Sequence, residues 1–115
     1  MKPITQTERL LTRKILVKDA PFILALLNSP GWLEYIGDRN IKTVKQTKFY
    51  IKSHLQQAYK DFGFGFYTIL EKDSQQAVGI AGFVKRDYLL TVDFGYALLP
   101  QFEGKGFVAE IVKHY

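Results

Sequence analysis

Cysteine is absent from the 115-residue chain. That excludes a disulfide framework, thiolate metal sites and a cysteine nucleophile together. Two histidines, His54 and His114, are too few for a histidine-rich metal centre, so no metal is expected. No apolar run approaches the ~20 residues that span a bilayer, and no charged-then-apolar leader precedes a small-residue cleavage site. The expectation is a soluble, cytoplasmic protein with no membrane partner. Repeats, low-complexity tracts and Ser/Gly linkers are also missing, which predicts a single domain over residues 1–115.

Acidic residues are the minority, 11 against 16 Lys plus Arg, giving a net charge of +5. Such a balance suits nucleic acid, a membrane surface or an anionic small molecule. The basic residues are spread along the chain, with no Arg-rich cluster, so no nucleic-acid partner is expected. Nine Phe and seven Tyr favour a packed core over a solvated tail.

The apolar pattern predicts β-α-α-β-β-β-α, an α+β fold. Residues 9–17 read as a first strand. Asp19 reads as a helix N-cap with Pro21 in the first turn, and that helix stops at Asn28-Ser29-Pro30-Gly31. An irregular piece carries Trp32, Tyr35 and Ile36. Thr43 caps a longer helix to about Tyr59, with Val44, Thr47, Ile51, Leu55 and Ala58 on one buried stripe. Lys45, Lys48 and Lys52 share another face, read as a solvated flank, and His54 sits beside the stripe. Strands at Phe64–Leu70, Ala77–Val84 and Leu89 or Leu90 to Leu99 follow, joined by Lys72-Asp73-Ser74-Gln75 and Lys85-Arg86-Asp87. Their short connections predict an antiparallel meander, and Gly79 and Gly82 mark close packing or a bulge.

Chemistry is concentrated where the last strand meets a glycine loop and a helix. Gly104 and Gly106 let backbone pass close to a ligand. A helix start supplies unpaired N–H groups and a positive dipole end, and Lys105 adds charge, which together make a seat for phosphate or pyrophosphate. An ordinary tight turn has the same spelling. The loop is not a P-loop and lacks the third glycine of a dinucleotide fingerprint. On the strand, Val92, Phe94, Tyr96 and Leu98 alternate with Asp93, Gly95 and Ala97. The second face is nearly bare beyond Asp93, leaving room for a thin ligand or for a tightly packed helix.

Three stretches resemble the GNAT acetyltransferase superfamily, in its RimJ/RimL-like branch, which acetylates ribosomal-protein N-termini and related amines. They are Thr7-Glu8-Arg9-Leu10-Leu11 with Asp19-Ala20, then Tyr35-Ile36-Gly37-Asp38-Arg39 with Phe49-Tyr50-Ile51, and Asp93–Pro100 running into Gly104–Glu110. The family's loop motif, Q/R-x-x-G-x-G/A, is met literally by Gln101, Gly104 and Gly106. Anchoring on Pro100 instead places Glu103 at its first position and Val108 at its last.

The resemblance implies acetyl-CoA as cosubstrate, its pyrophosphate on Glu103, Gly104, Lys105, Gly106, Phe107 and Val108, and its pantetheine arm along Leu98 and Leu99. It implies direct transfer of the acetyl group to a primary amine, on a protein N-terminus or a small molecule. Asp93 is the candidate base or acceptor-orienting group, or an edge carboxylate doing neither. Trp32, Tyr35 and Arg39 are candidate acceptor-pocket residues. The family continues with a further strand, helix and hairpin, so a shortened member with an open sheet edge is expected, forming a homo-oligomer through that edge. Two other readings stay open: a catalytically degenerate CoA-binding or scaffold protein, and a basic nucleic-acid module with steeply salt-dependent affinity.

Overall fold

The computed structural model describes residues 5–30, 40–85 and 92–113. Trp32, Tyr35 and Arg39, the Arg86-Asp87 turn and His114 lie outside them.

Five strands form one sheet, β1 (Thr5–Gln6), β2 (Leu10–Lys14), β3 (Phe66–Glu71), β4 (Ala77–Lys85) and β5 (Val92–Leu98). They lie in sequence order and every neighbouring pair is antiparallel. The meander expected from the short connections is therefore present, lengthened at its start. The first strand is shorter than 9–17, because Thr7 turns the chain and its N–H donates to the Leu10 carbonyl at 2.8 Å. That turn adds β1, too short at two residues to carry a pattern.

A 3-10 turn (Val17–Asp19) leads into α1 (Ala20–Leu27), with Pro21 in its first turn. Asp19 holds the N-cap position, but its side chain does not cap α1. The carboxylate turns back instead. It accepts two 2.7 Å bonds from the Arg13 guanidinium and one of 2.8 Å from the Leu16 N–H. A buried arginine offers a stronger, charge-assisted partner than a helix amide does, and this pair fastens β2 to the start of α1.

Thr43 caps α2 (Val44–Tyr50) as expected, accepting from the Gln46 N–H, while Gln46 reaches back to complete a capping box. A π-helical turn (Ile51–Leu55) continues into α3 (Gln56–Phe62). The wider turn keeps residues four apart stacked, so Thr47, Ile51 and Leu55 all stay buried. Val44 departs from the predicted stripe and is exposed, since it stands in the first turn, before the helix reaches the sheet. Tyr59 ties α3 to the sheet: its hydroxyl accepts from the Ile15 N–H and donates to the Phe66 carbonyl.

Two apolar clusters sandwich the sheet. One joins Ile23, Leu26 and Leu27 of α1 to Ile51, Leu55 and Ile80. The other joins Leu10, Ile69, Val78 and Ala81 to Phe102, Phe107 and Ile111. Val78 and Ile80, two apart on β4, therefore serve opposite clusters. The register explains this, because Ile69 pairs Gly79 while Leu70 pairs Ala77, leaving Val78 opposite neither. Such an irregularity reverses the alternation locally. It lets β4 hold the helical layer on one side and the glycine loop on the other. At Gly82 a Cβ would lie 2.0 Å from the Gly65 carbonyl oxygen, so the strands approach too closely there for any side chain.

Candidate functional site

The site begins at the end of β5. Leu98 pairs with Gly79, and the Leu99 N–H donates to the Val78 carbonyl at 2.9 Å. The Leu99 carbonyl accepts from the Phe102 N–H at 3.0 Å, which starts a 3-10 turn (Pro100–Phe102). Both Leu99 backbone groups are thus already engaged, so any outward pairing along this edge falls to Leu98. Phe102 is buried and its ring centroid lies 6.4 Å from that of Phe107, packing the loop onto the second cluster. On β5, Gly95 and Ala97 are half-buried. Ala97 packs against the helical cluster, so the bare strip is covered at that end.

Gly104 and Gly106 both have φ +78°, the left-handed region that favours glycine. They fold the chain into a knuckle from which α4 (Phe107–Val112) departs. Glu110 is bonded back to the Gly106 carbonyl at 3.1 Å, so the amides of Phe107, Val108 and Ala109 fall in the unpaired first turn. A Cβ built at Gly104 meets nothing within 4 Å, leaving open space above the loop. Glu103 and Lys105 are exposed and Val108 is half-buried. The Glu103 carboxylate is therefore free to stay in solvent, away from an anion on the amides.

A clamp absent from the sequence reading holds this knuckle. The Arg9 guanidinium donates to Glu110 Oε1 at 2.6 Å and to the Lys105 carbonyl at 3.1 Å. It also lies 4.8 Å from the centroid of the Phe107 ring. The Arg9 N–H and the Thr7 hydroxyl donate to Glu110 Oε2. The β1–β2 turn thus fixes loop and helix from a hundred residues away. Arg9 and Glu110 each lie in a stretch that carries the family resemblance, and their occurrence in both was the signal available.

Burial alone would raise the Glu110 pKa. The Thr7 hydroxyl, the Arg9 N–H and the Arg9 guanidinium outweigh it and hold the carboxyl at about 2. An unfolded glutamate titrates near ~4.3, so the clamp's stabilisation is complete above that value and is lost as pH falls toward 2. Because Arg9 is half-exposed, the effect is expected to be about 1–2 kcal/mol. Urea titrations of wild type and Glu110→Gln at several pH values between 5 and 2 check this. The stability difference between them should shrink as pH falls, and a constant difference would mean that Glu110 carries no clamp charge.

Asp93 lies on β5 opposite Val84, and its side chain falls outside the described residues. His54 is exposed, stacked on Tyr50 and within 2.9 Å of the Ser53 hydroxyl. Among the described residues no cluster of potential metal ligands occurs, and no helix is long and apolar enough to cross a membrane.

Residues 9–114 match the model of the acetyltransferase (GNAT) domain family. A curated relative, the uncharacterized N-acetyltransferase YoaA of Bacillus subtilis (strain 168), is 27% identical over 97% of this chain and 63% of its own length. The chain thus spans less than two thirds of that relative. Among solved structures, the RimL ribosomal L7/L12 alpha-N-protein acetyltransferase in complex with coenzyme A superposes with a TM-score of 0.74 at 17% identity, over 95% of this chain and 62% of that one. A spermidine N-acetyltransferase SpeG chimera from Vibrio cholerae and hSSAT gives 0.67 at 16%, over 91% and 59%. At these identities the structures speak for the fold, and the family match covers nearly the whole sequence: the chain belongs to the GNAT acetyltransferase domain family.

Proposed function

We propose that this chain binds acetyl-CoA on the Gly104–Gly106 knuckle and serves direct acetyl transfer to a primary amine. The observation that carries the reading is the pair of left-handed glycines opening onto a helix start, with empty space where the Gly104 Cβ would stand. Bound acetyl-CoA supplies an activated acetyl thioester. The amides of Phe107, Val108 and Ala109 donate to the pyrophosphate, and Lys105 adds positive charge. Leu98 offers its outward backbone to the pantetheine arm. Asp93 takes a proton from the acceptor ammonium, directly or through water. Trp32, Tyr35 and Arg39, outside the described residues, are the acceptor-side candidates that the family resemblance implies.

The RimL and SpeG relatives take a protein α-amine and spermidine by name, and an amine of either kind suits this chain. The family resemblance points to the RimJ/RimL-like branch, with a protein N-terminus as one acceptor it admits, and a cytoplasmic setting is part of the same proposal. A homo-oligomer belongs to the same reading. The alternative is a scaffold that binds CoA without transferring the acetyl group.

Isothermal titration of the 115-residue chain with acetyl-CoA, followed by thiol-release assays with amine acceptors, tests the reading. Binding in the micromolar range with thiol release is expected. Binding without release for any acceptor selects the scaffold reading, and no heat of binding overturns both. Light scattering at micromolar concentration tests the second copy, and a strictly monomeric mass rejects it.

A further inference from the structure

Between Asn40 and Lys60 the chain has five lysines and no Asp or Glu. The remaining basic residues equal the acidic ones in number, so this one arm carries the whole formal net charge of +5. Lys45, Lys48 and Lys52 are exposed at helical spacings of three and four, and none makes an ion pair with a described residue. Like charges so spaced on a helix repel one another, and the arm provides no acid to offset them.

Among these lysines stands Phe49, at 72% exposure the most exposed large apolar side chain among the described residues. Beside it opens a groove of about 690 Å³ lined by Ile41, Lys45, Gln46, Phe49, Tyr50 and His54, within the range of small ligand sites. The Tyr50–His54 stack, with ring centroids 5.0 Å apart, forms one wall of it at the π-helical turn. Lys45 lines the groove, and Lys48 and Lys52 follow it along the same helical arm, so an apolar seat lies beside a row of positive charge that borders it.

We propose that this groove docks an acidic segment of a partner protein, seating one apolar side chain against Phe49 while flanking carboxylates meet Lys45, Lys48 and Lys52. Charge complementarity names the partner's sign, and the concave apolar seat names its side chain. The rim favours a peptide over nucleic acid. It is all lysine, without the bidentate arginine fork that suits phosphate, and Tyr50 and His54 already stack on each other, leaving Phe49 as the ring free to take an apolar side chain. The inference goes beyond acetyl transfer, since docking here requires no cofactor.

The test is fluorescence polarisation with a fluorescein-labelled ten-residue Asp/Glu peptide carrying two leucines three positions apart. Saturable binding that weakens as salt is raised is expected. The double variant Lys45→Glu/Lys48→Glu should weaken it by at least about tenfold, and Phe49→Ser by about fivefold. Lys18→Glu/Lys72→Glu makes the same charge change elsewhere and should alter it less than about twofold. These are exposed or half-exposed positions, and circular dichroism confirms that each variant is folded. No saturable binding at millimolar peptide overturns the proposal. So does equal binding of a peptide with both leucines replaced by serine, or tighter binding of a ten-nucleotide oligothymidylate.

Discussion

Asp19→Ala is expected to lower the unfolding free energy by about 3–5 kcal/mol in urea titrations followed by far-UV circular dichroism. The magnitude follows from what the substitution strands. Arg13 and Asp19 are 6% and 7% exposed and meet through two 2.7 Å bonds. Burial opposes the ionised form of Asp19, yet the Arg13 hydrogen bonds, the Leu16 N–H and the Arg13 charge together hold its pKa below the usual carboxylate range. Removing the carboxylate leaves a buried guanidinium with one remaining bond, to the Lys14 carbonyl at 3.1 Å. It also frees the Leu16 N–H. Domains of this size are stable by only ~5–15 kcal/mol, so the variant should approach the edge of folding.

The pair and its rupture have different energies. Two desolvated charges contribute little net stability even when well paired, while one alone is costly. The double variant Arg13→Met/Asp19→Leu removes both charges and keeps most of the volume. It is expected to recover more than half of the loss. Recovery below a tenth would show that the carboxylate's bond to Leu16, and not its charge, holds the 3-10 turn.

These two residues also mark where sequence reading stopped. Asp19 sits where an N-cap belongs, directly before Ala20-Pro21, and local pattern alone assigns it to the helix. Its true partner is on β2, six residues back, which only the bend after Lys14 brings near. The meander was legible because Lys72-Asp73-Ser74-Gln75 is too short for anything but a hairpin. The start of α4 was legible because Gly104 and Gly106 have few alternatives as a break. The Arg9–Glu110 clamp was not. It joins positions 101 apart, and nothing in periodicity reports a pairing across the sheet. The Val78 irregularity was hidden for a different reason: the run Ala77–Val84 reads as an unbroken apolar strand whichever face each residue takes.

Gly106→Val should weaken acetyl-CoA binding by about 10²-fold, equivalent to ~2.7 kcal/mol, if the knuckle is the pyrophosphate seat. At φ +78° a β-branched residue is strained by about 1–2 kcal/mol. Its Cβ would also lie 3.6 Å from the Arg9 guanidinium, so the branches beyond it press on the clamp. The chain relieves both by leaving the left-handed conformation. That swings the Phe107 and Val108 amides away from a common point and discards the preorganisation on which anion binding at a helix start depends. Gly104→Ala shares the φ but points into open space, so its loss should be nearer tenfold. The discriminating comparison is between binding and folding. Phe107 and Ile111 anchor α4 in the core independently of the knuckle, so thermal unfolding of Gly106→Val should fall by only ~5–15 °C. Wild-type affinity in Gly106→Val would remove the knuckle from the binding site. Loss of affinity in step with loss of fold would make Gly106 a structural glycine, leaving the cofactor to be held elsewhere along β5.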